Sequence, residues 1–544
     1  MEVYMDFKIK TVGAYHTPDG VVADSVSNPK YAEYRVESDA NTYLLYATSD
    51  LTPLAVTARI AVDVNEDETL FMNGFRSDSD SREAILSDKM TGLDAVVGYA
   101  RGLYEDVIGN GDPIERYKDK PGVTHGFSYC YFRSGDRFRL FASLDESTGY
   151  TVFRYDAPTS TLHVFKDIEG VEGFNNYKAL ALFVAEGSED EVFDKWFAAL
   201  GKSENLPAPA LVGYTTKKLE EINEDRVCRK ITAVKTCFPE KPNAFILEGE
   251  YCKHGDWLSP CEVRFPIGLR EISDSIKAED MMSGLCISPL TVSADSDVFE
   301  EHPDWLVRRP DGKLLKVKKD LYVLDLEIAE VREYIRNAIH TILYMWGFDI
   351  IKLDNLFVAS LIPSAGKSRG QKACEAMSFL RECCGGKLMY ADHAPLMPAF
   401  KIADYCAVSC DAISNNVPVA YARRFHREGS SVRNASADIV YRRQLNQRAF
   451  LNAPCPVSLD DKEFFLDGRL NNAEQNVLTN LEGLFTSVII MSDSTAKYGQ
   501  KKKRRFKRMC ALGSRATDIK VAVSGGVSMV SYRYEGKVYV IQFR

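Results

Sequence analysis

The fold is indicated most clearly by residues 321–354, LYVLDLEIAEVREYIRNAIHTILYMWGFDIIKLD. Residues 322–326 form a short apolar run, which is typical of a buried strand. Apolar side chains then recur at helical spacing through residues 327–346. Gly347 is suited to end that helix, and residues 348–353 predict a second buried strand. The stretch therefore predicts a strand–helix–strand unit of the kind that builds parallel sheets.

The same alternation continues along the chain after residue 354. Its segments predict helices at 371–384, 444–451 and 472–484, and strands at 387–390, 404–409 and 487–491. Eight such units fit into roughly 290 residues, the size of a (β/α)₈ TIM barrel. A doubly wound sheet would give similar periodicity, so the pattern alone leaves both architectures open.

The two ends of the chain predict antiparallel β structure instead. Short aromatic and β-branched runs between turn clusters indicate strands at 43–48, 55–62, 126–133, 137–144, 151–155 and 161–165, followed by a helix at 189–200. Three further strands are indicated at 521–523, 527–532 and 538–543. With a Pro-containing linker at 206–209, these patterns predict an N-terminal β-sandwich domain (1–205), a barrel (206–505) and a small C-terminal antiparallel β domain (506–544).

Composition excludes several classes of protein. A chain of 544 residues is too long for one ordinary core, and its net charge of −9 argues against nucleic-acid binding. The start, MEVYMDFKIK, lacks the pattern of a secretory signal, and no apolar run is long enough to predict a membrane span. The 13 cysteines include no CxxC pair, which favours reduced thiols in a cytoplasmic protein. The basic run 501–507 is interpreted as a solvated helix face rather than a phosphate or nucleic-acid site.

Two aspartates follow predicted barrel strands at the end where barrel enzymes place their chemistry. Asp354 ends the strand at 348–353, and Asp411 comes just after the strand at 404–409. Two carboxyl groups about 5 Å apart can hydrolyse a glycoside with retention, one as nucleophile and the other as acid and then base. Lys352 lies on the same side of its strand as Asp354 and would favour the ionised nucleophile. The structural alternative is that such aspartates only cap the following helices.

At these residues the chain resembles the α-galactosidases of glycoside hydrolase family 36. The similar strings are SPLTVS (288–293), which leads through SDVF (296–299) to EHPDW (301–305), YVLDL (322–326), KLD (352–354) and the run from PLMPA (395–399) to Asp411. The domain order agrees as well. The resemblance implies a retaining, exo-acting hydrolysis of terminal α-linked galactose or a related sugar, with Asp354 as nucleophile and Asp411 as acid/base. It implies no metal and no organic cofactor, an oligosaccharide or glycoside substrate, and a homo-oligomer.

The chain departs from that family in the sugar pocket. The tryptophan-rich first strand is replaced by VGYTTK (212–217), and the acidic pair that binds galactose hydroxyls is matched by Glu248 and Glu250. Cys286, Ala407 and Asp78 stand where a tryptophan, an arginine and a further tryptophan are expected. Each lost hydrogen bond to a sugar hydroxyl would cost about 1–3 kcal/mol, so galactose recognition is expected to be rewritten.

Other residues are predicted near the mouth by their positions. His393 follows a strand and could contact a hydroxyl or the leaving group, while Asp256 and Trp257 belong to a GDW string that the family shares. Asp493 follows the last predicted barrel strand and could equally cap a helix. Two alternatives therefore stand beside an active α-galactosidase: an α-glycosidase for another sugar, such as a cationic amino sugar, and a catalytically silent, carbohydrate-binding barrel.

Overall fold

The computed structural model describes residues 9–88, 120–201, 208–412, 430–456, 470–493 and 498–543 except 218, 220 and 319, together with 112, 114, 115, 459 and 496. Within these residues the chain forms an N-terminal pair of antiparallel sheets, a parallel barrel and a small C-terminal sheet. This confirms the predicted fold class.

The N-terminal part is a β-sandwich. Its strands are β1 (Lys10–Thr17), β2 (Gly20–Ser25), β3 (Glu33–Ser38), β4 (Thr42–Ser49), β5 (Pro53–Ala61), β6 (Thr69–Met72), β7 (Arg82–Ala84), β8 (Val123–Phe127), β9 (Tyr129–Ser134), β10 (Arg137–Ser143), β11 (Thr151–Asp156), β12 (Thr161–Lys166) and β13 (Phe174–Gly187). They form sheets of order β2-β1-β5-β12-β11-β8 and β3-β4-β13-β10-β9-β6-β7. Apolar side chains from both inner faces build one core, which explains the alternating pattern of the strands.

One predicted strand, 126–133, is in fact two strands in different sheets. Ser128 lies between β8 and β9 with φ of 65°, a left-handed conformation that ends one strand and redirects the chain. The sandwich ends in helix α1 (Glu189–Ala199), whose Trp196 indole N–H donates to the carbonyl of Ser143 at 2.8 Å.

The central part is a nearly closed barrel of parallel strands. In sheet order these are β23 (Leu451–Ala453), β22 (Tyr405–Ala407), β21 (Leu388–Ala391), β20 (Ile350–Leu353), β16 (Met282–Ile287), β15 (Ala244–Leu247), β14 (Leu211–Thr215) and β24 (Val488–Met491). The first strand pairs with the last, and the Ser487 N–H donates to the Asn452 carbonyl at 3.1 Å beside the remaining gap. This arrangement excludes the doubly wound alternative, in which the first strand lies inside an open sheet.

The predicted barrel strand at 322–326 was wrong. Its residues contribute to β19 (Leu321–Val323), which pairs antiparallel with β17 (Thr291–Ser293) and β18 (Lys316–Lys318) in an insertion that follows β16. The neighbour of β20 in the barrel is β16 instead. A short apolar run indicates that a strand is buried, but it carries no information about which strand it pairs with.

The remaining helices of the described residues surround the barrel and lead out of it. They are α2 (Glu224–Cys237), α3 (Leu269–Lys277), α4 (Asp297–Glu301), α5 (Ala329–His340), α6 (Arg369–Cys384), α7 (Val432–Tyr441), α8 (Asn472–Phe485) and α9 (Gln500–Arg515). The predicted helix at 444–451 was wrong. Only a 3₁₀ turn, Arg443–Leu445, forms there, because Gln447 adopts φ of 67° and Leu451 already begins β23.

The C-terminal sheet is a three-stranded meander of β25 (Thr517–Ser524), β26 (Val527–Tyr534) and β27 (Lys537–Phe543). Helix α9 precedes it and buries Phe506, Met509 and Leu512. The predicted domain boundary at 505/506 falls within this helix. Among the described residues, no helix has the length and apolar character that crossing a membrane requires.

Candidate active site

Asp354 lies at the carboxyl end of β20, inside the mouth of the barrel. Its backbone N–H donates to the Ile287 carbonyl of β16 at 2.9 Å, which continues the ladder past the strand end. The next residue, Asn355, has φ of 55° and donates its own N–H to the Asp354 carboxylate at 2.6 Å. The carboxylate is therefore held by the backbone turn at the top of the strand.

His393 is the closest side-chain partner of Asp354. It lies in the turn after β21 with φ of 44°, and its Nδ1 is 2.5 Å from Asp354 Oδ1. Its Nε2 lies 3.6 Å from Asp78 Oδ2, a carboxylate contributed by the sandwich. Burial alone would lower the pKa of His393, but Asp78, Asp354 and Asp392 raise it to about 10. His393 is therefore an imidazolium near neutral pH and can donate from both nitrogens.

The charge state of Asp354 follows from its neighbours. Burial raises the pKa of its carboxyl group, but attraction to and hydrogen bonding with His393, and attraction to Lys352, outweigh burial and hold the pKa well below its usual range. Asp354 is thus an ionised carboxylate in a half-buried position, with 27% of its side chain exposed.

Lys352 is buried beneath Asp354 with 3% of its surface exposed. Its Nζ lies 2.9 Å from Glu248 Oε2 and 2.9 Å from Asp392 Oδ2. Glu248 also accepts a hydrogen bond from the Thr215 hydroxyl at 2.5 Å. Lys352 forms buried ion pairs with the carboxylates of Glu248 and Asp392, and we call these three residues the floor cluster.

Cys286 lies against the floor cluster from β16. Burial raises the pKa of its thiol well above the usual range, and the charges of Glu248 and Asp354 raise it further, while Lys352 opposes them. Cys286 is therefore a neutral thiol beside the nucleophile candidate, with a smaller volume than the tryptophan expected there.

Asp411 lies four residues beyond the end of β22, and its side chain is 55% exposed. Its Oδ1 is 2.9 Å from Nζ of Lys217, which follows β14. Burial lowers the pKa of Lys217, but Asp411 outweighs it and raises the pKa. The charge of Lys217 also contributes to lowering the pKa of Asp354, after His393 and Lys352.

The other predicted site residues lie outside this group of contacts. Asp256 accepts from the backbone N–H groups of Asp297 (2.9 Å) and Val298 (3.1 Å), so both of its oxygens cap helix α4. Trp257 is buried with its ring 4.9 Å from that of His254.

Glu250 and Asp493 are also placed away from the mouth contacts. Glu250 is exposed on the loop after β15. Asp493 is buried and accepts from the Tyr498 hydroxyl at 2.6 Å and from the Leu459 N–H at 2.6 Å. Asp493 thus joins two segments beside the last barrel strand.

Two residues that sequence reasoning missed are central to the mouth, Asp392 and Lys217. Asp392 directly follows β21, so the rule that found Asp354, a polar residue after a buried strand, also points to it. Lys217 is 194 positions from its partner Asp411, and no local pattern signals that contact.

Three of the mouth residues could in principle surround a cation. The donor atoms of Asp354, Asp392 and His393 lie within 4.8 Å of one another. His393 is protonated and donates to Asp354, however, and a protonated imidazole nitrogen has no lone pair for a metal. The cluster is therefore suited to internal ion pairs.

Known proteins resemble the chain most clearly in this region. Residues 249–379 match the Melibiase family model. The chain is 29% identical to an α-galactosidase of Escherichia coli over 127 residues and 29% identical to one of Lactobacillus acidophilus over 154 residues, which are 23% and 27% of this chain. The alignments span 17% and 20% of the lengths of those relatives.

Solved structures extend the likeness of fold to almost the whole chain. An α-galactosidase of Thermus thermophilus in complex with p-nitrophenyl α-D-galactopyranoside superposes with a TM-score of 0.69 at 21% identity, covering 94% of this chain and 98% of that one. An α-galactosidase of Geobacillus stearothermophilus in complex with raffinose gives 0.59 at 11%, covering 96% and 80%. Part of the barrel is thus similar in sequence to α-galactosidases, and the chain is similar in fold to α-galactosidases of glycoside hydrolase family 36, as its sequence motifs indicated.

Proposed function

We propose that the protein is a retaining, exo-acting α-glycosidase that hydrolyses a terminal α-linked galactose or a related sugar. The observation that carries this proposal is the half-buried, ionised carboxylate of Asp354, held by His393 at 2.5 Å at the end of a barrel strand. Partial removal from water favours the neutral form of a carboxyl group, and the surrounding cations keep Asp354 in the ionised form that attacks carbon.

In the proposed first step the Asp354 carboxylate attacks the anomeric carbon, and Asp411 donates its proton to the leaving oxygen. In the second step Asp411 takes a proton from water, which displaces Asp354 from the sugar. Lys217 supports the base form of Asp411 because its ammonium attracts the carboxylate at 2.9 Å. When Asp411 carries the proton, that attraction is lost.

The sugar specificity is expected to differ from that of family members with the full galactose pocket. Glu248 is engaged by Lys352 and Thr215, and Asp78 by Arg76 (3.2 Å) and His393. Because these acidic groups already have cationic partners, they give a cationic amino sugar little unbalanced charge to bind. We therefore place a neutral hexoside first and keep the amino sugar as the second candidate.

The cellular location and the assembly belong to this proposal as well. We propose a cytoplasmic enzyme that acts on oligosaccharides or simple glycosides without a metal or organic cofactor, and that forms a homo-oligomer. The three-domain division at 1–205, 206–505 and 506–544 is part of the same proposal.

The direct test is hydrolysis of a panel of nitrophenyl α-glycosides that includes galactose, galactosamine and N-acetylgalactosamine. We expect turnover of at least one member with retention of anomeric configuration, read by NMR of the first-formed sugar. Asp354→Ala should remove turnover by about 10⁴-fold or more, as expected for loss of a nucleophile. The matched control is Asp349→Asn, since Asp349 lies at the opposite end of the same strand and bonds Ser283 and Lys387.

An unchanged rate in Asp354→Ala, or an inverted product, would rule out the proposed mechanism. No turnover of any member, combined with a melting temperature that rises on addition of these sugars, would instead favour a carbohydrate-binding barrel.

A further inference from the structure

Helix α7 carries a buried polar stripe that faces the sandwich. Asn434 and Asp438 are four residues apart, so their side chains lie on one face of the helix, and Arg442 directly follows its last residue. Asn434 accepts from the Arg82 guanidinium at 2.6 Å. Asp438 and Arg442 are both fully buried, which is rare for charged residues unless each is paired and hydrogen-bonded.

Asp438 joins two segments that are distant in sequence. Its Oδ1 accepts the backbone N–H of Ser81, at 2.9 Å, and its Oδ2 accepts the backbone N–H of Cys410, at 3.2 Å. Ser81 belongs to the sandwich, whereas Cys410 directly precedes Asp411. The side chain of Asp438 therefore connects the sandwich to the residue that precedes the acid/base candidate.

Arg442 repeats the connection one turn later. Its guanidinium donates to the carbonyls of Arg76 (2.9 Å) and Ser77 and to Asn73 Oδ1 (3.1 Å) in the sandwich. It also donates to the carbonyl of Val408 at 2.9 Å, three residues before Asp411. Asp438 and Arg442 thus each bind both segments, and we call these two residues the clamp.

The sandwich segment held by the clamp also contacts the turn of His393. The Ser77 N–H donates to the Ala394 carbonyl at 2.8 Å, and the Ala394 N–H donates back to the Ser77 hydroxyl at 3.1 Å. Residues 76–81 therefore contact both the turn of His393 and the clamp. The described contacts connect the nucleophile candidate to the acid/base candidate through the sandwich.

We propose that Asp438 and Arg442 are positioning residues that set the place of Asp411 relative to Asp354. This rests on the proposed function, since it assumes that Asp411 is the acid/base. Asp411 itself is 55% exposed, and it lies four residues beyond a strand of only three residues. The clamp supplies buried hydrogen bonds to residues 408 and 410, just before it, and the bond from the Arg442 guanidinium is charge-assisted.

The chemical consequence is specific to proton donation. A misplaced acid/base slows departure of a poor leaving group far more than departure of a good one, because the latter needs no proton. A general loss of stability would lower the folded fraction and slow both substrates by the same factor.

The test compares phenyl and 2,4-dinitrophenyl α-D-galactopyranoside, or the same pair for whichever sugar of the panel the protein hydrolyses. In Asp438→Asn the amide would direct its NH₂ group at a backbone N–H, so that one of the two bonds is lost with little change of shape. We expect kcat/KM, which reports the first step alone, to fall by about 10- to 100-fold for the phenyl substrate and by less than about threefold for the dinitrophenyl substrate. Arg442→Lys keeps the positive charge but loses the several N–H donors of the guanidinium. It should show the same difference between the two substrates, and it replaces the first variant if that variant folds poorly.

The matched control is Tyr441→Phe on the same helix. Tyr441 is equally buried but bonds the Ser528 hydroxyl in the C-terminal sheet, at 2.8 Å. Its removal should lower thermal stability without separating the two substrates. Equal slowing of both substrates in both clamp variants, or no slowing, overturns the positioning role. If Asp411→Asn itself fails to separate the substrates, the proposed acid/base is wrong and the positioning role falls with it.

Discussion

In the floor cluster a single residue, Lys352, is expected to have a large effect on stability. Lys352 is enclosed between Glu248 and Asp392, and its side chain is 4% exposed. Replacing it by Met leaves two carboxylates facing each other in a buried site. Removal of one partner from a buried pair costs about 3–5 kcal/mol, and we expect a loss of unfolding free energy of that order for Lys352→Met.

Chemical denaturation of Lys352→Met measures this loss. The matched control is Lys253→Met, because Lys253 pairs with Asp297 at 2.6 Å but is 52% exposed. Exposed pairs contribute about 0–1 kcal/mol, so the control should be nearly neutral. Similar losses in the two variants would contradict a buried, closed cluster.

His393 makes the stability of the mouth depend on pH. Its folded pKa is raised to about 10 by Asp78, Asp354 and Asp392, against a value of about 6.5 in the unfolded chain. A raised folded pKa gives stabilisation that is complete below about pH 6.5 and is lost as the pH rises through about 10. The stability difference between the protein and His393→Gln should therefore be largest near pH 6 and shrink steadily toward pH 10.

Urea denaturation of both proteins at several pH values tests this dependence, since groups that titrate equally in both cancel in the difference. A difference that stays constant from pH 6 to pH 10 would show that His393 is neutral in the folded protein. A difference that grows with pH would show that the pKa of His393 is lowered, and not raised, in the folded protein.

Some residues of the mouth could be predicted from the sequence and others could not, and the difference has a physical reason. Asp354 was found because a carboxylate after a buried strand must lie at the barrel mouth. Its partner His393 was placed near the mouth by the same rule, but their 2.5 Å contact depends on the αL turn at His393. Lys217 could not be found, because its contact with Asp411 depends on how the first and sixth strands are arranged around the barrel.

At the scale of elements, the packing of α8 against α9 is close enough to exclude a methyl group. A Cβ added to Gly483 in α8 would lie 2.4 Å from the backbone carbonyl oxygen of Met509 in α9. Gly→Ala inside a helix is otherwise favourable by about 0.5–1 kcal/mol. Because the obstacle is backbone, we expect Gly483→Ala to be destabilising by about 1–3 kcal/mol.

Thermal unfolding of Gly483→Ala checks this packing. Gly386→Ala is the control, because Gly386 is exposed and a Cβ there meets no atom within 4 Å. A stabilised Gly483→Ala variant would mean that the two helices can separate at no cost.

The elements that were predicted well are those with a long amphipathic pattern. Helices α6 and α8 lie close to their predicted ranges, because apolar side chains that recur at helical spacing over a dozen residues fit only a helix. Residues 322–326 were assigned to the wrong sheet because strand pairing is set by distant segments. The stripe of α7 was not predicted as a helix at all, since Asn434, Asp438 and Arg442 are polar residues in a buried position.

At the scale of the whole molecule, a buried ion pair connects the sandwich and the barrel. Arg369, near the start of α6, donates to both oxygens of Asp167 in the sandwich at 3.1 Å, and both side chains are less than 10% exposed. Gly370 lets the backbones approach there, since a Cβ would lie 2.5 Å from the carbonyl carbon of Gly149. With the clamp, these contacts join the two parts at separate places.

We therefore expect the sandwich and the barrel to unfold together. Cys130 in β9 and Cys406 in β22 are fully buried thiols that report on the two parts separately. Pulsed thiol labelling across a urea series, read by mass spectrometry, should expose both at one midpoint. Arg369→Met leaves Asp167 buried without its cation and should lower both midpoints by an amount equivalent to about 3–5 kcal/mol. Arg336→Met, at an exposed pair with Glu333, should leave them nearly unchanged. Separate midpoints for the two thiols in the unsubstituted protein would show that the sandwich unfolds independently of the barrel. The mouth would then be formed at an interface between two units that unfold separately, and not within one cooperative unit.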